Sequence, residues 1–113
     1  MKYVIIPVDQ AEPARVVEAT RETSLAVLQE AVGGYIEAVQ FPDGHPFAGN
    51  ILWLNEEGRA LHLPLNARAD DLVRGMLFPG DFIKGNVAIS GDADGNGDST
   101  DARKVVLEHF GLL

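Results

Sequence analysis

The run Asp92-Ala93-Asp94-Gly95-Asn96-Gly97-Asp98-Ser99-Thr100-Asp101 holds the densest set of metal-type oxygens in the chain. Asp92, Asp94, Asn96 and Asp98 alternate, with Gly97 in the sixth place, which matches the opening of an EF-hand calcium loop. Ca2+ is therefore the one cofactor the residues suggest, with Asp92, Asp94, Asn96, Asp98 and Asp101 as ligands. Only half of the motif is present. The twelfth place needs a bidentate carboxylate and holds Arg103, while Asp101 comes two places early, as in a shortened loop. The competing reading is a solvated turn in which Asp98, Ser99 or Thr100 caps a following helix and Asp101 favours its positive end.

No other spacing supplies a reaction. His45, His62 and His109 lack the three- or four-residue separation that places two imidazoles on one metal. Gly33-Gly34 and the glycines around Gly95 fit neither the Walker pattern nor the dinucleotide fingerprint. Ser24, Ser90 and Ser99 have no nucleophile-elbow context. The acid pairs Glu56-Glu57 and Asp70-Asp71 read as solvent-facing or as favoured by a helix's positive end, not as general acid and base. The expectation is a protein that is not an enzyme. Its interaction residues are expected at Tyr35, Glu37, Trp53, Glu56 and Glu57, with Phe41 and Phe47 as further aromatic candidates, since exposed aromatics make binding anchors. Trp53 falls on the strand face opposite Leu52 and Leu54; a core with a helix on each face is the alternative to its exposure.

The chain has 113 residues, enough for one domain, residues 1–113, with one core. Seventeen acidic against nine basic side chains give a formal net charge of −8. Phosphate contacts need clustered Lys and Arg, so direct nucleic-acid binding is not expected. An acidic surface suits solubility, a basic partner, or competition with nucleic acid for a basic protein. The apolar runs are too short to span a bilayer. The stretch Met1-Lys2-Tyr3-Val4-Ile5-Ile6-Pro7-Val8-Asp9 reads as a first strand and not as a leader, because Pro7 interrupts it and no small-residue cleavage site follows. With no cysteine in the chain, a reducing, cytoplasmic setting is the expectation.

The elements that must position these residues follow from periodicity. Tyr3 to Val8 predicts a buried strand, and Ala14 to Ala19 a short helix or ordered loop. Leu25, Leu28 and Val32 predict a helix over Ser24 to Val32, capped by Ser24 and stopped by Gly33 in a left-handed conformation. Tyr35 to Phe41 and Ile51 to Leu54 predict strands. Asn55-Glu56-Glu57-Gly58 predicts a hairpin turn with Gly58 left-handed, and Ala60 to Leu65 its return strand. Asn66 predicts a cap for a helix over Ala67 to Leu77, Pro79-Gly80 a turn, and Phe82 to Ser90 a strand. Residues 91–101 form an acidic loop leading into a helix over Thr100 to Leu112. The fold class this order implies is α+β, a single domain with a mostly antiparallel sheet, helices packed mainly on one face, and a C-terminal helix.

Leu28-Gln29, Val32-Gly33-Gly34-Tyr35-Ile36-Glu37, Asn55-Glu56-Glu57-Gly58, Leu63-Pro64-Leu65-Asn66, Ala69, Gly80-Asp81, Ile83, Gly85 and Gly91, in this order, resemble a small domain-of-unknown-function family of tailed bacteriophages, plasmids and other mobile elements. The resemblance implies one α+β domain of phage or mobile-element origin and carries over no catalytic residue and no cofactor. With the acidic charge, it leads to the expectation of an accessory protein that binds a host protein in the cytoplasm, as an acidic decoy or inhibitor. The alternative is a small-ligand or Ca2+-binding module, including one that sequesters a signalling nucleotide on Arg59, Arg68 and Arg74. A homodimer through open sheet edges is a further expectation.

Overall fold

Apolar residues that alternate along a strand commit its two faces before anything packs on them. A computed structural model describes residues 1–77 and 80–113. The strands are β1 (Lys2–Ile6), β2 (Arg15–Glu18), β3 (Ile36–Gln40), β4 (Asn50–Asn55), β5 (Val87–Ala93) and β6 (Ser99–Thr100); the helices are α1 (Ser24–Val32), α2 (Ala67–Leu72) and α3 (Lys104–His109). They form a six-stranded antiparallel sheet in the order β2-β1-β5-β4-β3, with β6 paired to β5 off that path.

Val39, Leu52, Ile89 and Val4 lie opposite one another across β3, β4, β5 and β1. They share a core with Ala69 and Val73 of the α2 segment and Ala102 and Val106 of the α3 segment. The alternate residues Trp53, Ala88, Ile5 and Tyr3 face the other way, onto Leu28 of α1. Two helices thus cover one face and one the other, which is the α+β arrangement with helices mainly on one side. Each fully buried Leu or Ile here contributes roughly 1.5–3 kcal/mol by leaving water.

Helix α1 has the expected bounds. Gly33 closes it at φ 80, and the amides of Gly33 and Gly34 both donate to the Gln29 carbonyl. The capping position is Thr23 and not Ser24; the Ser24 hydroxyl instead meets the Tyr3 hydroxyl, tying α1 to β1. Asn66 caps α2 as expected, but the helix stops at Leu72 and continues as turns to Gly75 at φ +83. Within residues 14–19 nothing is helical, and Arg15–Glu18 make strand β2. Its β-branched Val16 and Val17 pair with β1, and Glu18 stands opposite Lys2.

The strand expected from Phe82 begins instead at Val87, because Gly85 at φ +78 breaks the extended run. It continues to Ala93, so the first part of the expected acidic loop is strand, with a bulge against β6 between Gly91 and Ala93. Thr100 belongs to β6, and α3 starts at Lys104, where Asn50 Oδ1 accepts from the Arg103 amide at 2.9 Å. Pro79 of the expected Pro79-Gly80 turn lies outside the described residues; Gly80 has φ +90.

The largest correction concerns the return strand over Ala60 to Leu65. Both edges of β4 are already taken, by β3 and β5, so no edge remains for a further strand. The Asn55–Gly58 turn does form, through Gly58 N to Asn55 O at 3.1 Å, but Gly58 is not left-handed. The chain then coils. Leu61 N donates to Glu57 O, Leu63 N to Gly58 O at 3.0 Å, and His62 N to Arg59 O at 3.2 Å. The last two bonds are a Schellman closure whose left-handed position, normally glycine, is His62 at φ 53. His62→Gly is expected to raise stability by about 0.5–1 kcal/mol, seen as a small rise in melting temperature, since glycine takes this conformation without the Cβ penalty.

Candidate functional site

Two asparagines organise one end of the sheet. Asn55 is buried at the end of β4. Its Oδ1 accepts from Glu57 N at 2.8 Å and its Nδ2 donates to Val32 O at 3.2 Å, joining the turn to the last residue of α1. Gly34 passes so close that a Cβ there would lie 2.9 Å from Asn55 Nδ2. Tyr35 O accepts from Glu56 N at 2.9 Å. The double glycine and the Asn-Glu-Glu-Gly turn are therefore one unit, built by backbone approach and by a buried amide.

Asn66 does the same beside it. Its Oδ1 accepts from Ala69 N at 3.1 Å, and its Nδ2 donates to Ile6 O and Gly85 O, each at 3.0 Å. Gly85 N donates to Pro64 O at 2.8 Å, and a Cβ on Gly85 would lie 2.9 Å from Leu63 Cδ1. Leu65 bridges Lys84, and Ile83 N donates to Asp70 Oδ1 at 3.1 Å. The segments Leu63–Asn66 and Ile83–Gly85 are thereby fixed against the turn, with Gly58 packed on Lys84.

This corner holds two adjoining depressions that share Asn55. The larger is a cleft of about 430 Å³ on the α2 and α3 side of the sheet. Val39, Leu54 and Phe82 give it apolar walls, and Glu37, Glu56, Asp81, Arg59 and Lys84 add charged groups to its lining. Arg59 is tied to Asp81 at 2.9 Å. Among the described residues, Glu37 and Glu56 make no ion pair. The smaller, of about 260 Å³, is lined by Gln29, the double glycine, Tyr35, Glu57 and Leu61. Tyr35, Leu61 and Phe82 are 65%, 54% and 56% exposed, unusual for such large apolar groups on one corner.

Of the expected interaction residues, Tyr35 and Glu57 line the smaller depression and Glu37 and Glu56 the larger. Trp53 does not join them. It lies on the opposite face, partly buried against the α1 core, with Nε1 donating to Ser90 Oγ at 2.9 Å. Arg59, Leu61, Asp81, Phe82 and Lys84 complete the corner. No spacing in the sequence marks them, because they are gathered by the crossing of two distant loops.

The acidic run does not assemble a cation shell. Asp94 Oδ1 accepts from Asn96 N at 2.8 Å and Asp98 N at 3.1 Å, as in a self-bonded turn. Asp98 pairs with Arg21 at 3.1 Å, Asp101 Oδ1 accepts from Lys2 N at 2.8 Å, and Asp92 Oδ1 accepts from Gln40 Nε2 at 3.2 Å. Among the described residues no three or more His, Asp or Glu side chains converge to hold a metal. Millimolar calcium is accordingly expected to leave the melting temperature unchanged, whereas a ligand present at a hundred times its Kd would add about 2.7 kcal/mol.

The cations do not converge on an anion site either. Arg68 Nη2 donates to Pro7 O and Asp9 O, and Arg74 pairs with Asp71, so of the expected three only Arg59 reaches the cleft. His45 is held elsewhere. Its Nδ1 accepts from Phe47 N at 2.8 Å and its Nε2 meets Leu72 O at 2.7 Å, beside Phe41 and Phe47. Both ring nitrogens are thus committed to backbone groups. Among the described residues, no helix is long and apolar enough to cross a membrane.

No curated protein and no solved structure matches the chain. One family model does, described as a domain of unknown function (DUF3846), over residues 1–111. That span takes in every element from β1 to α3, and with it both asparagine-held loops of the corner: the chain belongs to the DUF3846 family.

Proposed function

We propose that this protein is a non-enzymatic binding module that docks another protein through the corner around the Asn55–Gly58 turn. The observation that carries the reading is the concentration there of exposed Tyr35, Leu61 and Phe82 beside Glu37, Glu56 and Glu57 on a rigidly bonded frame. Aromatic and leucine side chains supply the desolvated contact area, and carboxylates select a basic partner and speed its approach. The resemblance of these same segments to a phage and mobile-element family supports a cytoplasmic accessory role against a host protein. The chain's charge of −8 supports the decoy form of that role.

Affinity capture from a bacterial host lysate, with the double variant Tyr35→Ala, Leu61→Ala as control, tests the proposal. A partner retained by the native protein, lost by the variant and released as salt rises is the expected result. Absence of any partner that depends on these side chains would defeat it. A small-ligand reading draws on the size of the cleft, which lies within the range of ligand pockets. Three carboxylates in that wall, one neutralising Arg59, oppose a nucleotide phosphate. Native mass spectrometry after gentle purification separates the two readings, since a retained small molecule favours only the second.

A further inference from the structure

We propose that the partner segment binds as an added strand on β3, and that this segment carries a basic and a branched apolar residue two places apart. The inference rests on the docking reading above and specifies its mode and chemistry. Strand β3 ends the sheet order, so among the described residues one of its sides is unpaired. Tyr35 O accepts from Glu56 N, and Phe41 N donates to Asn50 O, so the odd-numbered residues between them turn their backbone groups towards β4. By strand alternation the N–H and C=O of Ile36, Ala38 and Gln40 point outward. A peptide laid along this edge would find a ready ladder.

The side chains decide what such a peptide carries. Glu37 and Val39 share the cleft face of β3, and both line the larger cleft with Glu56, Leu54 and Phe82. Residues of an added strand that point to this face fall beside Glu37 and Val39 in turn. A Lys or Arg beside Glu37 answers the two carboxylates that have no ion-pair partner among the described residues, Glu37 and Glu56. A branched apolar side chain two residues along fits over Val39, Leu54 and Phe82.

The other free edge is less suited. Strand β2 has only four residues, and charged Arg15 and Glu18 stand at its ends, the kind of guard that discourages pairing. Strand β3 carries no Lys, no Pro and no bulge, and its single charge turns into the cleft. A second copy of this chain is a poorer occupant than a basic segment. It would bring another −8 of formal charge to the same edge and place a second Glu37 near the first.

The test is selection of a displayed library of random linear peptides on the protein at low salt, followed by amide exchange with the best synthetic peptide. Enriched sequences should carry a Lys or Arg two places from a β-branched apolar residue. The peptide should slow exchange at Ile36, Ala38 and Gln40 while leaving Glu37 and Val39, already bonded to β4, unchanged. Glu37→Lys, at an exposed site, should weaken binding about tenfold or more, and N-methylation of alternate peptide amides should abolish it. An acidic or patternless consensus, or no enrichment, overturns the inference. So does protection of the β3 amides that grows with protein concentration alone, which would assign the edge to a second copy. A peptide that protects the Glu57–Leu61 turn instead overturns strand addition and leaves the docking reading standing.

Discussion

Asn66→Ala is expected to lower the unfolding free energy by about 3–5 kcal/mol, the combined scale of a lost cap and buried carbonyls left unpaired. Asn66 is completely buried, and its one amide group serves three backbone partners on three segments: Ala69 at the start of α2, Ile6 at the end of β1, and Gly85 before β5. Truncation leaves one N–H and two C=O groups without partner in a site that water does not reach. For a domain of this size the loss corresponds to a fall of roughly 10–20 °C in melting temperature. Asn66→Asp separates the contributions. It retains the capping oxygen but replaces both donated bonds with a carboxylate facing two carbonyl oxygens, so it is expected to be at least as damaging as alanine. If Asn66→Asp melted like the native protein, the two carbonyl bonds would be energetically silent and the account of the corner would fail.

Gly91→Ala should be nearly as costly, for a different reason. Gly91 lies in β5 opposite Asn50 on one side and Thr100 on the other. A Cβ there would run into Thr100 Oγ1 and the Asp101 carbonyl oxygen. The second of these is backbone and cannot swing aside, so β6 must move away. That movement would break Thr100 Oγ1 to Asp92 O at 2.7 Å and strain Lys2 N to Asp101 Oδ1 at 2.8 Å. An expected loss of about 3 kcal/mol follows from the range for overpacked interiors. Gly95→Ala is the control, because nothing lies within 4 Å of its Cβ position and its φ is not positive. That variant is expected to stay within about 0.5 kcal/mol of the native protein. Thermal unfolding of both, with exchange at the Lys2 amide as the local readout, tests the contrast.

What could be read from the sequence was what short-range chemistry decides. The bounds of α1 follow from apolar residues at helical spacing and a double glycine, and Asn66 as a cap follows from its place before Ala67. The face of Trp53 follows from strand alternation. The failures share another cause, competition for partners far along the chain. Leu61, Leu63 and Leu65 alternate like a strand, yet β4 has no vacant edge and the segment coils into a Schellman closure. Val16 and Val17 lie in a stretch too mixed to declare itself, and β1 alone makes it a strand. Beyond sequence reading too lay the partners of the acidic run, where the Lys2 amide and the Arg21 and Gln40 side chains engage Asp101, Asp98 and Asp92. At the candidate site, Tyr35, Glu37, Glu56 and Glu57 were legible as turn and strand-end residues. Arg59 was anticipated only as a phosphate-binding cation, and Asp81, Phe82 and Lys84 were not legible, because what brings them together is the crossing of the loops after β4 and before β5.

The pairing of β1 with β5 sets the order in which this protein can be made. The strand that sheathes one flank of Tyr3, Val4, Ile5 and Ile6, Val87–Ala93, emerges from the ribosome some eighty residues after them. At a translation rate of roughly 5–20 residues per second, that apolar ribbon waits several seconds for its neighbour. In the meantime the Arg15–Glu18 segment can pair along its opposite flank and α1 can cover the Tyr3 and Ile5 face. Slow translation between Thr20 and Asn86 therefore prolongs the interval in which the β5-facing edge of that ribbon is unpaired.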